Sequence, residues 1–170
     1  MHPFVGIPLS TALLALSWSA FAQTLEDELK AFARAEHPDD YAMQAHVFDR
    51  QLAAHGYMRS VENEELRTIA EGEYPTDYAM QRHVYERQLS AFEYMASAPD
   101  DELKAIALRE YPNDYSMQRY THERQGEAKA YMDAAEDPEV AALAVREYPD
   151  DYAMQRYVYD RQLAAKERMR

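Results

Sequence analysis

The sequence predicts an all-α fold: an αα-hairpin solenoid of four 37-residue repeats, each a short helix, a proline-containing turn and a long helix. Three observations predict it. The wording Tyr148-Pro149-Asp150-Asp151-Tyr152-Ala153-Met154-Gln155 recurs, slightly changed, from His37 to Gln44, Tyr74 to Gln81 and Tyr111 to Gln118. Its prolines, Pro38, Pro75, Pro112 and Pro149, stand 37 residues apart with no insertion or deletion, and a fixed period of this size marks a repeat architecture. Apolar residues between the copies recur at helical spacing.

Residues 1–22 stand outside the repeats. Phe4 to Ala22 carry no charge, Leu9 to Trp18 are apolar and rich in leucine and alanine, and Ala20-Phe21-Ala22 has the small-x-small pattern of a signal-peptidase site. A secretory signal peptide over 1–22, cut before Gln23, is the expectation. The leader has no Lys or Arg, and 19 uncharged residues also approach the length of a membrane anchor, the competing expectation. Gln23 to Arg170 counts 148 residues, four periods, so the cut falls on a repeat boundary. Residues 23–170 then form one domain, with repeats at about 23–59, 60–96, 97–133 and 134–170. Export implies a periplasmic or secreted protein, with no membrane insertion once the signal is removed.

The first helix of each unit runs from about Asp27 to Glu36 and recurs near 64–73, 101–110 and 138–147. Asn63, Asp100 and Asp137 suit its N-cap, where a short side-chain oxygen accepts from a free amide. Pro138 suits the next position, where a missing N–H costs nothing. Leu29, Phe32, Ala33 and Glu36 share one face, as do Leu66, Ile69, Ala70 and Glu73. The repeated proline ends this helix, because its ring pushes the preceding residue out of helical geometry.

The second helix starts at once. Asp39, Thr76, Asn113 and Asp150 differ yet all suit an N-cap. That places Asp40, Asp77, Asp114 and Asp151 in the first turn, facing the positive end of the helix dipole. Apart from Gly56 and Gly126 nothing interrupts it for about 20 residues. Met43, Val47, Ala54 and Met58 form its apolar centre. Tyr41, Phe48 and Leu52 widen the buried arc to about 200° at 100° per residue. A helix packed on one partner needs about half that, so the second helix is expected to touch its own first helix and the next repeat. Tyr57, Tyr94 and Tyr131 share one position, and Arg168 replaces them in the last copy as a charged cap. The period is near that of tetratricopeptide repeats, which use 34 residues, helices of similar length and a Trp–Leu-Gly–Tyr–Ala–Phe–Pro wording. This chain has unequal helices and Pro-x-Asp-Tyr-x-Met-Gln, so it is tetratricopeptide-like in architecture only.

Composition narrows the function. There is no cysteine, hence no disulfide. A net charge of −13 disfavours nucleic acid, whose phosphates need Lys and Arg, and favours a basic partner or cations. Enzyme activity is not expected. Carboxylates recur at equivalent places, whereas a catalytic pair needs two different environments in one pocket. There is no Gly-rich phosphate loop and no cofactor motif.

Several polar residues are identical in all four copies. Gln44 and Gln51 lie on one helix face, where a buried amide must be paired. The structural expectation is that both hold backbone of the adjacent hairpin; the functional one is a ladder of amides and rings lining a groove. Arg50 is expected to pair with Glu28 across the hairpin, with Glu36 as second choice; Glu65–Arg87, Glu102–Arg124 and Glu139–Arg161 follow by repetition. The expected function is a protein-binding or scaffolding module for a protein or extended peptide, with a basic one favoured by charge. Its site would comprise Tyr41, Gln44 and Phe48, with the copies Tyr78, Gln81 and Tyr85, Tyr115 and Gln118, and Tyr152 and Gln155, joined by Arg82, Arg119 and Arg156. The alternative is copper or zinc handling through Met43 with His46 and Met80 with His83, pairs three apart on one helix surface. A purely structural or dimerising element without a ligand is the third reading.

Overall fold

The computed structural model describes residues 24–170, so the signal-peptide expectation lies outside the described residues. Among them are eight helices and no strand. α1 is helical over 24–36, and α2 spans Tyr41–Ser60, α3 Glu64–Glu73, α4 Tyr78–Ser97 and α5 Asp101–Glu110. α6 spans Tyr115–Asp133, α7 Pro138–Glu147 and α8 Tyr152–Arg168. From α2 on, helices of 17 to 20 residues thus alternate with helices of 10.

Each short helix stops where proline forces it to. Tyr74, Tyr111 and Tyr148, each preceding a proline, have φ of −133°, −133° and −135° and ψ of 74°, 69° and 75°, outside helical geometry. Asn63, Asp100 and Asp137 cap the short helices as expected, accepting from Leu66 N, Leu103 N and Val140 N. Asp100 does so at φ 70°, a left-handed conformation that aspartate tolerates better than most residues.

The caps of the long helices fall one residue later than expected. Asp40, Asp77, Asp114 and Asp151 are the capping residues, not Asp39, Thr76, Asn113 and Asp150. Their Oδ1 atoms accept from Met43 N, Met80 N, Met117 N and Met154 N at 3.0, 3.0, 3.1 and 3.0 Å. The proline and the residue after it form a turn of their own, so the cap cannot come before the second residue past proline, and the helix begins at the third. That explains why this aspartate is invariant while its neighbour varies.

Two compact units divide the chain inside α4, the first ending at Tyr85 and the second beginning at Glu86. In the first, Leu29, Ala33, Val47, Ala54, Met58, Leu66, Ala70 and Val84 are buried. In the second, α5 packs on α6, α7 on α8 and α6 on α8. Val140, Ala144, Val158 and Tyr159 form a buried cluster against Met132, Tyr148 and Leu163. Leu66 and Leu29 are almost wholly enclosed, and truncating either to alanine costs about 2–5 kcal/mol.

The wide apolar arc divides by copy. Val47, Ala54 and Met58 are buried as expected, but Tyr41 is 85% exposed, Met43 39% and Leu52 41%. Tyr78, Tyr115 and Tyr152 are half-buried, each lying against the preceding long helix; for α2 no such helix is described. No helix among the described residues is long and apolar enough to cross a membrane.

Candidate binding surface

Glutamines dominate the polar interior. Gln44, Gln81, Gln118 and Gln155 each donate Nε2 to the carbonyl before the repeated proline, at His37, Tyr74, Tyr111 and Tyr148, all at 2.7 Å. That carbonyl belongs to the residue that caps the C-terminus of the short helix, where no intrahelical donor reaches it. This glutamine therefore ties the long helix to its own turn.

The second glutamine reaches onward. Gln51, Gln88 and Gln125 are buried and donate to Asp77, Asp114 and Asp151 Oδ1 at 2.7, 3.0 and 3.0 Å. Their Oε1 atoms accept from Ala79 N, Ser116 N and Ala153 N, each at 3.1 Å. One amide thus satisfies a carboxylate and a free N–H at the start of the following long helix, so the cost of burying it is met on both sides. Both glutamine families hold backbone, as expected on structural grounds, although the first holds its own hairpin rather than its neighbour.

Aromatic residues line the same junctions. Tyr57 meets Tyr85, Tyr94 meets His122 and Tyr131 meets Tyr159 edge to face, with centroids 6.2, 5.6 and 6.2 Å apart. Arg82, Arg119 and Arg156 lie over the Tyr57, Tyr94 and Tyr131 rings at 4.5, 4.7 and 4.5 Å. Tyr78 packs edge to face on His55 at 4.8 Å and Tyr115 on Phe92 at 5.1 Å. Tyr152 donates to Glu102 at 3.0 Å beneath Lys129. Of the expected site residues, Gln81, Gln118, Gln155 and Tyr85 are buried, and Tyr78, Tyr115 and Tyr152 are half-buried in packing. Tyr41, Gln44 and Phe48 line a groove of about 230 Å³ with Lys30, Ala33, Arg34 and Ala45.

Three of the four predicted ion pairs, those of Arg50, Glu102 and Glu139, need correction. Arg50 meets Glu36, the second choice, at 3.7 Å rather than Glu28. In the second unit lysines take the carboxylates: Glu102 lies 3.5 Å from Lys129 and Glu139 lies 2.7 Å from Lys166. A lysine five residues beyond the arginine reaches the start of the short helix, where the N-cap aspartate also accepts it. Lys129 reaches Asp100 at 2.8 Å and Lys166 reaches Asp137 at 2.9 Å. The lysines hold both caps below the usual aspartate range, and both lysines are shifted up in return.

A different set of rings is open to solvent. His46, His83, Tyr120 and Tyr157 occupy one position in the four copies and all are exposed, the tyrosines 56% and 57%. Three residues on stand Asp49, Glu86, Glu123 and Asp160, on the same side of the helix; Glu123 pairs with Arg119 at 2.9 Å, Asp160 accepts from Tyr131 at 2.6 Å, and Arg161 lies 5.7 Å from the Tyr157 ring centroid. In the second unit Tyr120 borders a groove of about 360 Å³ with Arg87, Ser90, Ala91, Ser116, Arg119 and Glu123. Ser116 Oγ is enclosed there without a hydrogen-bond partner. In the sequence His46 and His83 read as ligands and Tyr120 and Tyr157 as departures from that ligand pattern, because the four residues are not identical. The signal was present as an aromatic or imidazole ring in every copy.

Met43 and His46 line a groove of about 450 Å³ with Glu36, His37, Val47 and Arg50. The Arg50 guanidinium, paired with Glu36, puts a positive charge beside the place a cation would take. Among the described residues no group of three or more His, Cys, Asp or Glu is placed to share a metal ion.

Compared with protein-family models, with curated proteins and with solved structures, the chain finds no match.

Proposed function

We propose that this chain is an exported, non-enzymatic binding module, built of four 37-residue helical hairpins, that holds an extended basic segment of a protein or peptide. The observation that carries it is the exposed ring at one position of every copy: His46, His83, Tyr120 and Tyr157. A ring face receives an arginine or lysine by cation–π attraction, the contact that Arg161 makes within the chain at 5.7 Å from the Tyr157 ring centroid. Repetition of one subsite suits a partner with a repeated cation and an extended backbone. The net charge of −13 favours its approach. Arg82, Arg119 and Arg156, occupied with tyrosine rings, frame the site rather than form it.

The test uses a labelled 12-residue peptide alternating arginine and serine, with a glutamate–serine peptide as control. The arginine peptide should bind the purified chain and the acidic one should not. Tyr120→Ser with Tyr157→Ser leaves net charge unchanged and removes two rings worth about 0.5–1 kcal/mol each, so affinity should fall about tenfold. Equal binding of both peptides, or an affinity indifferent to the rings, contradicts the proposal.

A further inference from the structure

We propose that the face of the first hairpin left open by the described residues is a docking site for a second copy of this chain, which presents the end of its last hairpin. The peptide-binding reading uses other residues and does not depend on it.

The exposed face is built from α2. Tyr41 is 85% exposed, and Ala45 and Phe48 lie beside it. The equivalent face of α8 is covered within the second unit, and its contacts show what the exposed face would accept. Gln125 bonds Asp151 Oδ1 and Ala153 N at 3.0 and 3.1 Å. Lys129 Nζ lies 5.4 Å from the Tyr152 ring centroid while bound to Asp100 and Glu102, and Tyr152 donates to Glu102 at 3.0 Å. Tyr131 donates to Asp160 at 2.6 Å beneath Arg156.

The last hairpin carries the same covering elements. Gln162 is the copy of Gln125, and Asp40 with Ala42 N–H is the copy of the group that Gln125 binds. Lys166 is already bound to Asp137 and Glu139 at 2.9 and 2.7 Å, matching the Lys129 cluster that receives Tyr152. That cluster is assembled to receive Tyr41 of another copy.

Two substitutions at the ends compensate each other. Arg168 stands where Tyr131 stands in the third copy, and Ala45 stands where Arg156 stands in the fourth. A junction between chains therefore brings one guanidinium rather than two. It faces Asp49, the copy of the Asp160 carboxylate that accepts from Tyr131. Joining an end to a different end is heterologous association, which propagates or closes into a ring.

Sedimentation of the full chain over a range of concentrations tests this, with two exposed-face variants. Tyr41→Asp alters the accepting face; Gln162→Glu with Arg168→Glu alters the presented one. The wild type should self-associate, and each variant should weaken association at least tenfold with its melting temperature unchanged. An equimolar mixture of the two variants should form a dimer and nothing larger, because one intact junction remains. A wild type that stays monomeric, whatever else covers α2, overturns the proposal. So do variants that associate like the wild type, or a mixture that stays monomeric.

Discussion

Gln125 Nε2 donates to Asp151 Oδ1 at 3.0 Å, and the same oxygen accepts from Met154 N at 3.0 Å to cap α8. One carboxylate oxygen thus starts its own helix and anchors the helix before it. The arrangement recurs at Gln51 with Asp77 and at Gln88 with Asp114. The repeated motif is a junction as well as a helix start.

Replacing Gln125 or Gln88 by leucine strands Ala153 N or Ser116 N away from water. Each change should lower unfolding free energy by about 1–3 kcal/mol in denaturant titrations. Gln162→Leu, with no such described contact, should cost well under 1 kcal/mol below the self-association range. Equal losses at all three would contradict the junction role.

Tyr131 separates two contributions. Tyr131→Phe removes the 2.6 Å bond to Asp160 but leaves a ring beneath Arg156, and should cost about 1 kcal/mol. Tyr131→Ala loses the edge-to-face contact with Tyr159 as well and should cost more, by about 0.5–1.5 kcal/mol. Chemical melts of both variants measure the difference.

Acid pH should weaken the fold in two stages. Desolvation, then the Arg59 charge, lowers the His55 pKa below the ordinary histidine value. A lowered pKa means the unfolded chain binds the proton more readily, so the His55 contribution is present above about pH 6.5 and lost as pH falls through its folded value. Asp100 and Asp137, lowered chiefly by their lysine hydrogen bonds, add losses below about pH 4. His55→Phe supplies the residue found at the equivalent Phe92, which packs on Tyr115 at 5.1 Å. Its gain in melting temperature should be larger at pH 5 than at pH 8; an equal or reversed gain contradicts the sign.

Alkaline pH acts on the tyrosines. Tyr78 and Tyr152 are raised above the ordinary tyrosine value, first by burial and then by nearby carboxylates, Glu28 for Tyr78 and Glu102 for Tyr152. Tyr131 is raised first by its bond to Asp160. Raised values favour the protonated fold, so stability should hold to about pH 10 and fall as pH climbs through the folded values. Ultraviolet titration should show these phenols ionising later in the folded chain than after unfolding.

Much of the fold was legible in the chain. Proline marked the end of every short helix, and Asn63, Asp100 and Asp137 were readable caps because their amide partners are local. The long-helix caps were misplaced by one because the turn after proline takes two residues, a matter of backbone closure that Asp39 and Asp40 do not reveal by type. Gln51 was readable as a paired amide, but its partner lies 26 residues away and depends on how hairpins meet. The candidate surface was less legible. Identity among copies picked out Tyr78, Gln81, Tyr115 and Gln118, which packing holds in place, since packing repeats demand the same shape each time. Binding positions need only a ring and exposure, and His46, His83, Tyr120 and Tyr157 satisfy that with two residue types.

The most direct test is an amide NMR titration of the chain with the arginine–serine peptide. Shifts should concentrate near His46, His83, Tyr120 and Tyr157 and leave the Gln51, Gln88 and Gln125 side-chain amides in place. Shifts centred on Tyr78, Tyr115 and the glutamine junctions, with the exposed rings silent, would contradict the division between packing and recognition.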